Sequence, residues 1–155
     1  MNLGLSDKIN VVDMQADAVA VPANDSAETG GIACEEYAAT LLLISMGTAD
    51  GVTLQLQGAD TDIDADYEDL RDEDTGVYSR IKLTGDDDDK IVKVENIKPR
   101  NKFLRVRAFG DGTAGEVRQI VAVQSGGREW PDETDGLSRL KVISPIRESE
   151  RLPVE

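Results

Sequence analysis

Two stretches of strict alternation constrain the fold of this chain more than any other feature. From Gly51 to Gly58 the sequence places Val52, Leu54 and Leu56 between Thr53, Gln55 and Gln57. From Pro99 to Phe109 it places Leu104, Val106 and Ala108 between Phe103, Arg105 and Arg107. A period of two sends successive side chains to opposite faces of an extended strand, so each stretch is expected to be a strand with one buried and one wet face, as in an antiparallel sheet.

Further β-prone pieces surround this pair. They are Ile9–Met14, Asp17–Val21 (closed by Pro22), Ile91–Asn96, Glu116–Ser125 and Leu137–Ile143. Tyr78–Thr84 sets Ile81 and Leu83 inward and Arg80 and Lys82 outward. Cys34–Met46 is ambiguous. Its first residues can open a helix, but Thr40-Leu-Leu-Leu-Ile-Ser45 ends before a glycine and reads better as a buried strand. Asn24–Gly31, Gly47–Gly51 and Gly126–Gly136 read as loops or turns, and Gly85–Lys90 as a hairpin-like loop. Asp60–Gly76 reads as a long acidic loop with a helical turn at Tyr67–Leu70. Eight or nine short strands separated by turn signals predict an all-β fold: an antiparallel β-sandwich or jelly-roll-like barrel of about eight strands, with a long acidic loop and extended termini. A parallel βαβ arrangement lacks its helices. The expected organisation is an N-terminal arm with the first strands (1–24), the sandwich (25–144) and a C-terminal tail (145–155).

A chain of 155 residues is long enough for one domain with a sizeable core. Its net charge of −14 argues against nucleic acid and anionic membranes as partners. The charge is uneven: residues 1–90 hold 21 acidic and five basic side chains, a net of −16, and residues 91–155 hold ten and twelve, a net of +2. This asymmetry implies two differently charged faces or an acidic outer surface over a more neutral docking surface; the alternative is salt adaptation or simple solubility. The single cysteine, Cys34, allows no intrachain disulfide and reads as a small buried hydrophobe. No apolar run is long enough to span a membrane, and the first residues do not read as a secretory signal.

The absence of histidine removes Ser-His-Asp and Cys-His catalysis and imidazole zinc sites. No glycine-rich phosphate loop occurs. Carboxylates are numerous enough for a glycosidase pair, but one Trp and three Tyr offer little for stacking sugars, so no enzyme is expected. Asp62, Asp64, Asp66 and Glu73 occupy positions 1, 3, 5 and 12 of a calcium-binding helix-loop-helix spacing, although Tyr67 stands where the sharp turn calls for glycine. They are the candidate metal ligands, Ca²⁺ being the only cofactor considered; the alternative is a solvated acidic loop. Asp86–Asp89 reads as a solvated hairpin tip that discourages edge-to-edge pairing. Lys98, Arg100, Lys102, Arg105 and Arg107 form the one basic concentration, which either meets an acidic patch on a neighbouring subunit or pairs across strands on a wet sheet face. Trp130, followed by Pro131, is either an interface anchor or a plug for one end of the sandwich. Arg100, Lys102, Arg105, Arg107 and Trp130 are therefore the candidate partner-binding residues.

The order of the two alternating strands resembles that in small β-rich head decoration, or capsid cement, proteins of tailed bacteriophages, which are encoded near the major capsid gene. In those a "dGv…lQ.sdD" strand, here Asp50-Gly51-Val52 to Gln57 running into Ala-Asp-Thr-Asp, precedes a "kRylRv" strand, here Lys102-Phe103-Leu104-Arg105-Val106. The likeness spans roughly residues 25–125, from Asp25-Ser26-Ala27-Glu28-Thr29-Gly30 to the Val117–Gln124 strand. It implies a structural virion protein without catalytic residues, made in the host cytoplasm and located on the capsid exterior. Such a protein clamps adjacent major capsid protein subunits and is expected to be a homo-oligomer, with a trimer the most plausible form. The competing expectations are a calcium-dependent or carbohydrate-binding β-sandwich module and, last, a hydrolase with paired carboxylates.

Overall fold

Burial divides the alternating strands cleanly, and the inner rows close on one another. The computed structural model describes residues 9–15, 17–97, 101–126, 138–143 and 145–147. Among these, one sheet contains β1 (Ile9–Gln15), β2 (Val19–Val21), β5 (Ala39–Met46), β9 (Ile91–Ile97), β11 (Gly115–Ser125) and β12 (Ser138–Ile143). Its order is β1-β11-β5-β9-β12, with β2 also on β11. The other sheet contains β3 (Ser26–Glu28), β4 (Ile32–Ala33), β6 (Val52–Ala59), β7 (Glu68–Asp72), β8 (Arg80–Lys82), β10 (Phe103–Gly110) and β13 (Pro145–Arg147). Its order is β13-β7-β6-β10-β3, with β4 also on β10 and β8 also on β6. The two sheets pack face to face as an all-β sandwich; no closed barrel forms. Among the described residues every strand pairing is antiparallel except β9 with β12, which is parallel.

The core lies between the inner rows. β5 contributes Leu42, Ile44 and Met46, β9 contributes Val92 and Val94, and β11 contributes Val117, Ile120 and Ala122. Against them pack Val52, Leu54 and Leu56 of β6 and Leu104, Val106 and Ala108 of β10. Fully burying a side chain such as Leu42 stabilises by roughly 1.5–3 kcal/mol. In β11 the expected alternation is interrupted where the sequence gives no sign of it. Val117 and Ile120 differ in parity, yet both are inside. The β11 register slips at Val117–Gln119, and Arg118 and Gln119 both face solvent. Without this bulge every inward residue on one side of it would turn outward.

Several loop expectations are corrected. Asn24–Gly31 contains β3, which runs antiparallel to Arg107–Phe109. The helical turn falls at Asp64–Asp66, as a single 3-10 turn, and Glu68–Asp72 is a strand because its backbone pairs with Gln57 and Gly58. The expected tail begins with β13, paired with β7. Gly85–Lys90 is not a hairpin tip: it joins β8 in one sheet to β9 in the other. Its carboxylates are acceptors for backbone N–H groups. Asp87, 3% exposed, accepts from Thr84 at 3.0 Å, and Asp88 accepts from Ala49 at 2.6 Å and Asp50 at 3.3 Å.

Gly110, at the end of β10, lies so close to the chain that a Cβ there would overlap the Pro22 carbonyl oxygen and stand 2.9 Å from that of Thr113. Both obstacles are backbone and cannot rotate away. Gly110→Ala is expected to destabilise the fold by about 1–3 kcal/mol. A urea melt checks it; an unchanged midpoint would show that the β10–β11 turn yields at little cost.

Candidate functional site

The outward row of the second sheet is not the bare wet face expected from its alternation. Register stacks it into layers: Arg105–Gln57–Asp69 across β10, β6 and β7, then Glu28–Arg107–Gln55–Arg80 across β3, β10, β6 and β8, then Ser26–Phe109–Thr53–Lys82. Arg105 is only 6% exposed because the acidic segment 60–67 folds over it. Its Nε donates to Gln57 Oε1 at 2.8 Å, its Nη1 donates to Asp64 Oδ1 at 2.9 Å, and its guanidinium lies 4.1 Å from the centre of the Tyr67 ring. Gln57 in turn donates to Asp69 at 2.9 Å. Burial, and then the bond to Asp62, push the Tyr67 hydroxyl above its ordinary pKa, so it stays a donor.

Gln55 plays the matching role one layer along. Its amide nitrogen lies within hydrogen-bond distance of the carbonyl oxygens of Leu56, Leu70 and Ser79, where β6 changes partner from β7 to β8. Its oxygen accepts from Arg80 Nε at 2.8 Å. The guanidiniums of Arg80 and Arg71 each lie 4.1 Å from the centre of the Tyr78 ring. The turn that returns Tyr78 to this face is held by Asp72, which accepts from the backbone of Thr75 and Asp74; the Thr75 bond foremost draws its carboxyl below the usual range. Beside this assembly runs an open groove of about 410 Å³ lined by Thr53, Gln55, Asp69, Arg80, Arg107, Phe109 and Asp111. The opposite outer face, on the first sheet, is mixed: Val11, Val123 and Leu41 align in one row that ends on Glu95, and Val121 and Leu43 lie between Asp13 and Lys93 in the next, with Val11 64% exposed.

The expected partner-binding residues divide. Arg105 is buried, Arg107 half-buried and Lys102 exposed, while Arg100 and Trp130 lie outside the described residues. The basic run is therefore not one patch. The expected metal ligands are not brought together either. Asp62 accepts from the Tyr67 hydroxyl at 2.6 Å, Asp64 pairs with Arg105, and Asp66 accepts from Thr61. Glu73 lies beyond β7, so a strand interrupts the helix-loop-helix spacing. Among the described residues no group of three or more carboxylates or thiols is placed to hold a metal. Arg80, Gln55, Tyr78 and Phe109 escaped the sequence reading. The signal available was the pair of glutamines in the outward row of Val52–Gln57, long amides where a wet face has no need of them.

The chain matches no protein-family model and none of the curated proteins.

Calcium added to chelator-treated protein is expected to leave its melting temperature unchanged, since Asp62, Asp64 and Asp66 already have protein partners; a saturable rise would show that they reorganise into a site. Cys34 lies in the core and its Sγ donates to the Asn101 carbonyl at 3.1 Å. Burial, assisted by Glu35, pushes its pKa up to about 12. The thiolate is the reactive form, so iodoacetamide at pH 8 is expected to modify Cys34 only after unfolding. Because the folded pKa is raised, the associated stability holds below the ordinary thiol range and is lost as pH climbs toward about 12. Rapid modification of the native protein at pH 8 would contradict the burial.

Proposed function

We propose that the protein is a structural virion component that binds the outer surface of a bacteriophage capsid and stabilises the shell by clamping adjacent major capsid protein subunits. The observation that carries this reading is the pairing of the two strands on which the resemblance rests. β6 and β10 are hydrogen-bonded neighbours in unbroken antiparallel register, from Val52 opposite Gly110 to Ala59 opposite Phe103. The "dGv…lQ" and "kRylRv"-like segments are thus one unit at the centre of a sheet, not two unrelated strands. The surface chemistry agrees with the reading. A clamp needs a rigid body with broad faces, and here one outer face carries a band of valine and leucine between charged residues while the other presents Arg80, held in place by Gln55.

The mechanism is mass action. A ligand of the assembled shell adds its binding free energy to that of the shell, about 2.7 kcal/mol per site when its concentration is a hundredfold above Kd. A trimeric form on a symmetric lattice would multiply weak contacts through avidity. Cosedimentation with expanded shells lacking this protein tests the proposal. Saturable binding at a fixed ratio to the capsid subunit, with a rise in the shell's melting temperature, is expected. No binding at micromolar concentration would rule out the decoration role.

A further inference from the structure

We propose that the groove beside the Arg80–Gln55–Arg107 row is a docking site for a single carboxylate side chain on the protein partner. The inference rests on the decoration reading and names the chemistry of the contact. Arg80 and Arg107 sit on strands two apart and in the same cross-strand layer, with Gln55 between them. Their Cα atoms are therefore separated by about 10 Å, and both side chains line the groove.

Arg80 is preorganised. Gln55 holds its Nε and the Tyr78 ring supports its plane, while Asp69 stands 3.9 Å from its Nη2, too far for a hydrogen bond. The Nε of Arg107 is buried without a hydrogen-bond partner among the described residues, and Glu28 is 3.9 Å away. Both arginines line one groove, and their half-exposed guanidiniums, paired with Asp69 and Glu28 only at 3.9 Å, have outer N–H groups left for an oxyanion. The surroundings select which kind. Asp69 and Asp111 line the same groove, Glu28 borders it, and the chain carries a net −14. Phosphates and polyanions are repelled more strongly than a single carboxylate. The groove is shallow and open along the sheet, and Phe109, 40% exposed, lies beside Arg107, so a peptide segment can place its methylenes on that ring.

The test uses the full-length protein with two probes, a short Glu-containing peptide and shells lacking the protein. In spectra of the arginine side chains, the Nε–H resonances of Arg80 and Arg107 are expected to shift together and saturably with the Glu peptide, and not with its Gln counterpart. R107Q is expected to weaken both peptide and shell binding about tenfold or more. R107K, which keeps the charge but loses the fork, should recover part of that loss. R118Q alters an arginine paired with Asp89 and Glu116 away from the groove, and should change neither. Melting curves establish that each variant is folded; should R80Q fail that check, R107Q carries the test, because the Nε of Arg107 makes no hydrogen bond among the described residues and its ion pair with Glu28 is long, at 3.9 Å. Equal binding of R107Q and wild type to both probes would overturn the groove while leaving shell decoration intact. Inorganic phosphate binding as tightly as the Glu peptide would overturn the carboxylate assignment. Wild type that binds the peptide through these arginines but not the shells would keep the groove and remove the decoration reading.

Discussion

The outer face of the second sheet depends on one buried cation. Arg105 cannot shed its proton, so its burial is tolerable only if its donors and its flat faces find partners. It finds three of different kinds: the amide oxygen of Gln57 on the neighbouring strand, the carboxylate of Asp64 on the 3-10 turn, and the ring of Tyr67. Hydrogen bonds to a charged group are worth roughly 1.5–3 kcal/mol each when both partners are shielded. That value applies to the Gln57 contact. Asp64 is open to water, and its contribution is weakened accordingly. What Arg105 secures is the placement of segment 60–67. With that segment laid over β10, β7 can begin at Glu68 and pair with β6, and the turn at Asp72 can return Tyr78 and Arg80 to the same face.

The acidity of the chain looks different in this light. A net charge of −14 opposes compaction through self-repulsion. Much of the negative charge is nevertheless structural. Asp87 and Asp88 accept backbone N–H groups at the corner between the sheets, Asp72 organises a turn, and Asp60 pairs with Arg147 of β13 at 2.9 Å. The division into an acidic first part and a nearly neutral second part does not become two faces. Residues before 90 supply β5 to one sheet and β6 to the other, and their carboxylates pair with later arginines, as Asp64 does with Arg105 and Asp89 with Arg118. The charges are interleaved by the strand order, so an orientation with the acidic half toward solvent has no counterpart in the fold.

How much could be read from the sequence varied with the range of the interaction. The inward rows of β6 and β10 were legible because a period of two is a local property of the chain, whereas the continuous apolar run of β5 marked a buried strand without saying which residues face inward. The burial of Cys34 followed equally from its type. The β11 bulge was not legible: an extra outward residue at Arg118–Gln119 makes sense only against the inner face of β5. β3, β7 and β13 read as loop or tail because each is short and polar; β3 and β13 become strands only by pairing with a partner distant in sequence, and β7 by folding back on β6 across the 60–67 segment. For the candidate site, the calcium spacing was a one-dimensional coincidence that strand β7 divides, whereas Arg80 and Arg107 become neighbours through β6, which lies before both in the chain.

The sequence by itself determined that this chain forms a two-faced all-β structure without histidine chemistry, because alternation and composition act residue by residue. Only the tertiary structure decided that the outer row of β6 and β10 is partly roofed, that the acidic runs serve as acceptors, and that two arginines line a shared groove. Those outcomes follow from cross-strand register and from where the 60–80 segment packs. Both are set by contacts between residues far apart in the chain, which no local pattern encodes.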